Sequence, residues 1–526
     1  MLKSTYQFEE LGMMSKVIKD LVAQEPKTTD YISQFYALDN ILEYTKKRAY
    51  DGDREVLREV FAQQNATNSS ELIQQNITAL TKENTFTITT GHQLNLFGGP
   101  LYGIYKICQV ISISRALNER QNENHFVPVF WMATEDHDFE EINHFHLFGE
   151  KISWDIDSKD SITGEIKLEQ IEEVLAKVEG KFNQADQSKI VKEITDCYRS
   201  SKTLSEAHHQ LVRYFFKDTE LLILDANDSR LKGMFSVTAS KEVNEQFVFK
   251  AVSNTNKKLE ADGYHQQVFV RECNLFHIDT NDRRERIVFE GGEFHFDGKT
   301  WKHDEVLKAI NEHPEQFSPN ALMRPIYQEI VLPNVVYLGG GGEIAYWLQL
   351  KEAFDAASIP FPILRVRHSA LLMNQKSIDF LNDLKIDLMD LKLGVDTLIK
   401  NMALEDAGSD LDLEAVYHEI SLAKKELLNK ANSINKGFEG MIEAEFAKFQ
   451  KALNKIEERL IKAEKGKFDK TEKQLKRLSN QLFPSGGFQE RSDNILQYYT
   501  QNPKIIAEIM AKLEAEKNAG IELIQI

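Results

Sequence analysis

The first 370 residues contain short apolar runs, each followed by polar or glycine-rich sequence. Residues 86–90 alternate between polar and apolar positions, as a half-buried strand does. Four further runs are short and apolar, as buried strands are: 127–132, 221–224, 335–338 and 361–366. Helical patterns lie between these runs, for example at 101–117 and 344–354. Strands that alternate with helices predict a parallel sheet covered on both faces, so the predicted fold class is α/β.

Two stretches interrupt this alternation, and we interpret both as lobes inserted between elements of the sheet. Residues 145–210 combine short alternating pieces with a charged helix. Residues 240–320 contain three strand-like runs, at 267–270, 274–278 and 285–289. The predicted core is therefore discontinuous. It comprises an N-terminal helical segment at 1–84 and core segments at 85–144, 211–239 and 321–375.

Residues 376–482 are predicted to form a helical coiled-coil arm. Apolar residues recur at spacings of three and four, between lysines and glutamates, over 413–427 and again over 446–463. This is the seam of a heptad repeat, and its phase slips near Gly466. Two helices joined near 434–440 predict a hairpin whose second helix is longer, so part of its seam would lack an intrachain partner. We therefore expect a homodimer through this arm, and we expect residues 483–526 to pack back on the core.

Charge and composition narrow the function classes. Among 526 residues, 82 Asp and Glu outnumber 64 Lys and Arg, which gives a formal net charge of −18. Nucleic-acid binding needs a basic surface, so no nucleic-acid partner is expected, although a local pocket for a small anion is compatible with this charge. The three cysteines form no CxxC motif, which argues against a disulfide framework and a thiolate zinc site. Without a signal-like start or an apolar run of membrane length, we expect a cytoplasmic protein with no membrane contact.

The first candidate site motif follows the strand at 86–90 and comprises Thr90, Gly91, His92 and Gln93. It stands where a predicted strand leads into a predicted helix. A glycine lets the backbone approach a ligand closely, and amide groups at a helix start favour an anion. Gly99 and Lys106 follow closely, so we interpret the segment as a phosphate or carboxylate site. The alternative is a tight strand-to-helix turn.

Three carboxylates and a histidine follow the next strand: Glu135, Asp136, His137 and Asp138. Like charges this close raise the pKa of at least one carboxyl group, which suits a general base. His137, His144 and His146 also offer nitrogen ligands, but their spacing matches no strong metal signature, and we predict no metal site. The alternative interpretation is a solvated acidic loop.

Glycines and cations follow the last two strands. Four consecutive glycines, 339–342, precede Glu343 at a predicted helix start. They favour a ligand pressed against the backbone, and the alternative is a close helix–sheet crossing. Arg365, Arg367 and His368 end the final strand and are candidate anion ligands, with surface salt bridges as the alternative. Because ligands bind beyond the carboxyl ends of parallel strands, we expect all these motifs at one site.

Taken in chain order, the motifs resemble those of one family. They are Thr90-Gly-His-Gln93 with Gly99-Pro-Leu-Tyr102, Val127-Pro-Val-Phe-Trp131 with Glu135-Asp-His-Asp-Phe-Glu140, Glu343-Ile-Ala-Tyr-Trp-Leu-Gln-Leu350, and Leu482-Phe-Pro-Ser-Gly-Gly-Phe-Gln-Glu-Arg491. From about residue 85 to 500, the chain is similar to the cysteine ligases of bacillithiol biosynthesis, the BshC family. Many members have a less glycine-rich turn before the Glu343 motif, so the contacts of this turn differ here.

The resemblance implies a Rossmann-like parallel-sheet core with two inserted connecting lobes and a C-terminal coiled-coil dimerisation arm, related to class I synthetase-like nucleotide binders. It also implies a ligase that adds L-cysteine to glucosaminyl-malate through an amide bond, which gives bacillithiol. It supplies no settled catalytic residues, so the assignments below rest on the chemistry of the residues themselves.

Amide formation requires activation of the cysteine carboxylate. We expect ATP as a co-substrate, acting through an acyl-adenylate, and no tightly bound cofactor or metal. His92 and Gly342, at helix starts, would hold phosphates or adenosine, and Arg365 or Arg367 would neutralise the leaving pyrophosphate. One member of the 135–138 motif would deprotonate the attacking amine. Two alternatives stand: a nucleotidyltransferase acting on another small acid, and a non-catalytic coiled-coil scaffold.

The predicted site therefore has two groups of residues. The catalytic candidates are Glu135, Asp136, His137, Asp138 and His92. The candidates for binding substrate or nucleotide are Thr90, Gly91, Gln93, Gly99, Lys106, Gly341, Gly342, Glu343, Tyr346, Arg365, Arg367 and His368.

Overall fold

The structure is a computed structural model of the chain and describes residues 2–67, 70–120, 123–158, 161–408 and 413–526. The chain divides into two compact units. The sheet unit comprises Ser4–Met373 and Gln489–Ile526, and the helical unit comprises Asn374–Phe488 with the first residues of the chain. The first predicted lobe includes residues 159–160, and the predicted arm includes residues 409–412, which lie outside the described residues.

The strands all belong to the sheet unit. They are β1 (Thr5–Tyr6), β2 (Thr85–His92), β3 (His125–Met132), β4 (His144–Leu147), β5 (Glu150–Ser153), β6 (Leu222–Asp225), β7 (Leu275–Ile278), β8 (Arg284–Arg286), β9 (Val288–Glu290), β10 (Glu293–Phe296), β11 (Lys299–Trp301), β12 (Phe317–Pro319), β13 (Asn334–Gly339), β14 (Ile363–Val366), β15 (Ser369–Met373) and β16 (Ile521–Gln525).

The helices are divided between the units. Those of the sheet unit before residue 374 are α1 (Lys16–Val22), α2 (Leu38–Thr45), α3 (Arg54–Gln64), α4 (Glu71–Ala79), α5 (Leu101–Glu119), α6 (Phe139–Ile142), α7 (Ile171–Glu179), α8 (Ala185–Arg199), α9 (Leu204–Phe215), α10 (Ser229–Glu245), α11 (Phe247–Ala261), α12 (His303–Glu312), α13 (Arg324–Val331), α14 (Gly341–Trp347) and α15 (Lys351–Ala357). The helical unit contains α16 (Gln375–Asp383), α17 (Leu388–Leu393), α18 (Val395–Ala407), α19 (Glu414–Ile434), α20 (Glu439–Lys465) and α21 (Asp469–Leu482). The sheet unit ends with α22 (Leu496–Tyr499) and α23 (Ile505–Lys512).

A five-stranded, all-parallel sheet forms the centre of the sheet unit, in the order β14-β13-β2-β3-β6. The chain starts in the middle with β2, adds β3 and β6 on one side, and then crosses over to add β13 and β14 on the other. This order corresponds to five of the six strands of the Rossmann arrangement, and it reverses between β2 and β13. The predicted α/β class is confirmed, and the reversal marks where a ligand is expected.

The strand residues explain why this sheet is buried on both faces. Successive side chains of a strand point to opposite faces. In β3, Phe126 and Phe130 lie on one face and Val127 and Val129 on the other, and all four are at most 1% exposed. Helix α5 connects β2 to β3 and packs on both strands. Burial of each large apolar side chain contributes about 1.5–3 kcal/mol, so this layer is a main source of the unit's stability.

Two insertions extend the core. The first, between β3 and β6, contains the β4–β5 hairpin and helices α7–α9. The second, between β6 and β13, contains two small antiparallel sheets, β12-β7-β8 and β11-β10-β9. The predicted strand at 267–270 is wrong, because this segment is a loop. The backbone N–H groups of Gln267 and Val268 donate instead to the side-chain oxygen of the buried Gln349, at 3.1 and 3.0 Å.

The helical pattern at 344–354 corresponds to two helices. Helix α14 ends at Trp347, and α15 begins at Lys351. The side-chain amide of Gln349, in the break between them, also donates to the carbonyl oxygen of Val268 at 3.0 Å. Gln349, which lies in this break, therefore anchors the loop at residues 267–268 through its side-chain amide.

In the helical unit, α19 and α20 form the predicted hairpin, and the phase slip near Gly466 coincides with a short 3₁₀ turn over Gly466–Phe468. The expectation that the longer helix lacks an intrachain partner is wrong for its C-terminal part. Helix α18 packs against both α20 and α21 and buries Val395, Ile399 and Ala403. Several large apolar side chains of the hairpin are nevertheless exposed by 40–52%: Val416, Leu427, Phe449, Ile456 and Leu460. None of the helices in the described ranges has the length and apolarity needed to cross a membrane.

The C-terminal segment 489–526 returns to the sheet unit and is fixed there by polar contacts. Strand β16 pairs with β15 in parallel and with β1 antiparallel. Next to β15, Arg367 donates from Nη1 and Nη2 to the Glu490 carboxylate at 2.8 and 2.6 Å, and both side chains are at most 2% exposed. A buried ion pair of this geometry depends on both partners.

We predict that Glu490→Gln destabilises the sheet unit by about 3–5 kcal/mol, because it leaves the Arg367 charge buried without its partner. Tryptophan fluorescence during denaturant unfolding is the measurement, since all four tryptophans (131, 154, 301 and 347) belong to this unit. Asp355→Asn, which removes one partner of the exposed Lys351–Asp355 pair, is the matched control and should cost less than about 1 kcal/mol. Equal unfolding midpoints for the two variants would contradict the prediction.

Candidate functional site

A cavity of about 870 Å³ lies at the carboxyl edge of the sheet, where the strand order reverses. Its walls come from the ends of β2 and β3, the turn before α14, and loops of the second insertion. The volume is within the range of small-molecule sites. Most of the predicted site residues line it: Gly91, His92, Gln93, Lys106, Glu135, Asp136, His137, Gly341, Gly342, Glu343, Tyr346 and Arg367.

Three predicted residues near the cavity do not line it. Thr90 is buried in the sheet, where its hydroxyl donates to the Leu338 carbonyl at 2.8 Å. Gly99 has φ +59°, and a side chain there would collide with Asn95, so this glycine is needed for the turn itself. Asp138 is exposed and lies just before α6. Thr90 and Gly99 therefore have structural roles, and Asp138 faces solvent.

Arg365 and His368 lie away from the cavity. The Arg365 guanidinium stacks over the Tyr36 ring at 4.2 Å and lies 3.1 Å from His368 Nε2. The His368 backbone N–H donates to Gln109 Oε1 at 2.7 Å, and both Arg365 and His368 are buried. The expectation that they bind an anion together with Arg367 is therefore not met at this cavity.

His92 is the last residue of β2, and α5 begins only at Leu101. The predicted helix start at His92 is therefore wrong, and the contacts of His92 that follow are those of its ring. The ring packs edge-on against Tyr102, with centroids 5.0 Å apart, and lies so close to Gly103 that only a glycine fits there. Burial lowers the His92 pKa well below its ordinary value, and the nearby Lys106 charge lowers it further. The imidazole is therefore neutral at neutral pH.

An ion pair between the buried Lys106 and the partly exposed Glu343 joins four elements at the cavity wall. Lys106, on α5, lies 2.5 Å from the Glu343 carboxylate and donates to the Gly91 carbonyl of β2 at 2.9 Å. Glu343, in the first turn of α14, also accepts from the Gly340 N–H at 2.8 Å and from the Tyr337 hydroxyl of β13 at 3.2 Å. Burial tends to raise the Glu343 pKa, but the Lys106 charge and the Gly340 N–H outweigh it and hold the pKa below its ordinary value. Glu343 is therefore ionised at neutral pH.

The four glycines before α14 serve different purposes. A side chain at Gly341 would collide with Met14 Sδ, and one at Gly339 would lie 3.1 Å from Ile344. These two glycines are explained by packing. At Gly342, in contrast, an added Cβ would meet no atom within 4 Å, and the residue is exposed in the cavity wall. Of these three glycines, only Gly342 is therefore compatible with the predicted close approach of a ligand to the backbone.

The carboxylates after β3 have separate partners. Glu135 forms an ion pair with the fully buried Lys232 of α10, whose ammonium also donates to the Phe317 carbonyl at 2.9 Å. Asp136 accepts from the Gln93 side-chain amide at 2.7 Å and from the His137 backbone N–H at 2.8 Å. Glu135 is thus neutralised by a neighbouring charge, whereas Asp136 is held by neutral donors.

His137 contacts an arginine from the second insertion. Nη1 of Arg284, on β8, lies 3.0 Å from His137 Nδ1, and both residues line the cavity. Arg324, on α13, also lines the cavity and donates to the Tyr346 hydroxyl at 3.0 Å. The exposed Arg491, from the C-terminal segment, completes this basic lining.

Sequence reasoning missed Lys232 and Arg284 as site residues. Lys232 lies in the first turns of α10, and Arg284 lies in a short insertion strand; both are far in sequence from the motifs at the strand ends. Among the described residues, no group of three or more His, Cys, Asp or Glu is arranged to hold a metal ion. His144 and His146, considered as ligands with His137, form a pair with ring centroids 6.2 Å apart on the β4 strand.

Comparison with known proteins places the chain among relatives over nearly its whole length. The family description "Bacillithiol biosynthesis BshC, N-terminal Rossmann-like domain" matches residues 1–368, and "Bacillithiol biosynthesis BshC, C-terminal coiled-coil domain" matches residues 370–520. A solved structure titled "Crystal structure of putative arginyl t-RNA synthetase from Campylobacter jejuni" covers 89% of this chain and 98% of its own. It has 11% identity and a TM-score of 0.21, and so carries no argument.

Curated relatives agree with the family match. Proteins named "Putative cysteine ligase BshC" from Christiangramia forsetii and Flavobacterium johnsoniae are each 35% identical to this chain. The matches cover 96% of this chain in both cases, and 96% and 97% of the two relatives. A protein of the same name from Bacillus cytotoxicus is 27% identical over 86% of this chain and 87% of its own. The chain belongs to the bacillithiol biosynthesis BshC family.

Proposed function

We propose that the chain is a ligase that joins the carboxyl group of L-cysteine to the amino group of glucosaminyl-malate, forming an amide in bacillithiol synthesis. Membership of the BshC family supports this proposal, as do the relatives' names, which specify a cysteine ligase. The observation that carries it is the cavity of about 870 Å³ at the strand-order reversal, where Asp136 faces the same space as several cations.

We propose ATP as the source of activation. An oxygen of the cysteine carboxylate attacks the α-phosphorus, which forms cysteinyl-adenylate and releases pyrophosphate. Three features of the cavity wall support an anionic nucleotide here. Arg367 Nε is buried without a hydrogen-bond partner among the described residues and faces Gly340. The backbone at Gly342 is open to the cavity, and Arg324 and Arg491 lie on its wall. Fixed cations of this kind stabilise charge on a leaving pyrophosphate.

We assign Asp136 as the general base of the second step. The amine nitrogen attacks the carbonyl carbon of the adenylate, AMP leaves, and Asp136 accepts the proton of the amine. The neighbouring candidates are less suitable. Glu135 is paired with Lys232, the exposed Asp138 does not line the cavity, and His137 Nδ1 faces the Arg284 guanidinium.

The proposal predicts that purified enzyme with L-cysteine, glucosaminyl-malate and ATP releases one pyrophosphate for each amide formed. Mass spectrometry of the product and a coupled pyrophosphate assay check this. Pyrophosphate release that depends on another small acid, and not on cysteine, would indicate a different nucleotidyltransferase. If none of the three compounds raises the melting temperature, a non-catalytic scaffold would replace the proposal.

Asp136→Asn should lower kcat by about 10²–10⁴, the usual contribution of general-base catalysis, because the amide cannot accept the proton. Asp138→Asn is the matched control. It makes the same chemical change two residues away, at an exposed position outside the cavity, and should keep kcat within about twofold. Equal activities of the two variants would remove Asp136 from this role.

We also propose that two copies of the chain associate through the exposed apolar residues of the α19–α20 hairpin. Phe449 and Ile456 are 49% and 52% exposed, on the same helix and one heptad apart. Side chains this apolar are commonly covered by a partner, and a second copy offers the same stripe.

Phe449→Glu combined with Ile456→Glu should convert the dimer to a monomer, because two carboxylates would be buried in the shared seam. Light scattering after size-exclusion chromatography measures the mass. Gln450→Glu, at an exposed position beside Phe449, adds charge outside this stripe and should leave the dimer intact. Wild-type protein that is monomeric at micromolar concentration would refute the proposed association.

A further inference from the structure

Arg284 is an unusual member of the second insertion, because its side chain is buried although β8 lies in a surface lobe. Its exposed fraction is 8%, whereas Arg286, two residues later on the same strand, is exposed. Every part of the guanidinium has a fixed contact. Nε donates to the Ser318 hydroxyl at 3.1 Å, Nη2 donates to the Pro319 carbonyl at 2.8 Å, and the plane stacks on the Phe276 ring at 3.9 Å. Its orientation is therefore set without any help from His137.

The remaining guanidinium nitrogen determines the state of His137. Nη1 lies 3.0 Å from Nδ1 of the imidazole. A guanidinium has donors only and keeps its charge at any physiological pH, so Nδ1 must be the acceptor and carry the lone pair. In a neutral imidazole with Nδ1 as acceptor, the proton resides on Nε2.

Two further contacts of the ring are consistent with this preference. The Phe276 ring lies 5.5 Å from the imidazole centroid, and the nearest carboxylate oxygen of Asp136 lies 3.8 Å from Nδ1, beyond hydrogen-bond distance. That carboxylate is also engaged by the Gln93 amide and the His137 N–H. A proton on Nδ1 would face the N–H of Arg284 and add a second positive charge beside it.

We propose that Arg284 is a positioning residue that holds His137 as a neutral imidazole with its proton on Nε2. His137 is then a hydrogen-bond donor and not a base. Resting on the function proposed above, this donor stabilises the oxyanion that forms on the cysteinyl carbonyl when the amine attacks, while Asp136 accepts the amine proton. Adjacent residues of one motif therefore have different roles, with Asp136 as the base and His137 as the hydrogen-bond donor.

The tautomer can be tested without substrate. In protein labelled with ¹⁵N-histidine, long-range ¹H–¹⁵N spectra distinguish protonated from unprotonated ring nitrogens, and His137→Gln identifies the His137 signals. We expect wild-type His137 to be neutral with the proton on Nε2 at pH 7. Arg284→Met should remove this preference, because the guanidinium that donates to Nδ1 is gone. Arg286→Met is the matched control and should leave the signals unchanged, since Arg286 lies farther along the same Phe276 ring, at 5.9 Å.

A proton on Nδ1, or a charged imidazole, in the wild-type protein at pH 7 would overturn the proposal whether or not the variants fold. If the tautomer is as expected but no amide is ever formed, the proposed function fails and the positioning role of Arg284 stands.

Activity separates a donor from a base. His137→Gln keeps a side-chain N–H donor but cannot accept a proton at neutral pH, whereas His137→Ala provides neither. We expect His137→Ala to lower kcat by about 10²–10³ and His137→Gln to recover at least tenfold of that loss. Equal losses in the two variants would overturn the donor assignment.

Discussion

The Lys106–Glu343 ion pair is the interaction on which the arrangement of the site depends. Lys106 is almost fully buried, and an ammonium in that position is tolerated only when a charge and further acceptors satisfy it. Glu343 supplies the charge and Gly91 supplies a carbonyl. The same carboxylate accepts from Gly340 and Tyr337, so one pair joins α5, α14, β2 and β13 at the strand-order reversal. The floor of the cavity is therefore set by electrostatics as much as by apolar packing.

Two other charges that line the cavity follow the same principle, because each pairs with a charge from a different part of the chain. Lys232 of α10 neutralises Glu135, and Glu490 of the C-terminal segment neutralises Arg367. These pairs neutralise two predicted site residues, the catalytic candidate Glu135 and the binding candidate Arg367. Asp136 differs, because the groups that donate to it, the Gln93 side-chain amide and the His137 backbone N–H, are neutral.

The fold could be predicted from the sequence because its signal is local. Four short apolar runs and one alternating run, each followed by polar or glycine-rich sequence and separated by helical patterns, indicate the parallel sheet. The position of the site followed from topology, since the carboxyl ends of parallel strands share an edge. The local sequence does not determine whether a residue at the end of a strand points into the cavity. Arg365 lies within β14 and Arg367 just beyond it, yet only Arg367 lines the cavity, where it pairs with Glu490, whereas Arg365 stacks on the Tyr36 ring.

His92 and His137 illustrate why residue type alone did not assign roles. His92 ends one strand of the sheet and His137 follows the next, and the sequence offers both as catalytic groups. Burial beside Lys106 keeps His92 neutral and packs its ring against Tyr102. Arg284, from an insertion about 150 residues later, fixes the nitrogen on which His137 accepts a hydrogen bond. For His92 burial is the main cause and the nearby Lys106 adds to it, whereas for His137 the deciding cation comes from a distant part of the chain. An acidic chain thus places a few buried cations at its candidate site, where Lys106, Lys232 and Arg367 pair with carboxylates and Arg284 contacts an imidazole.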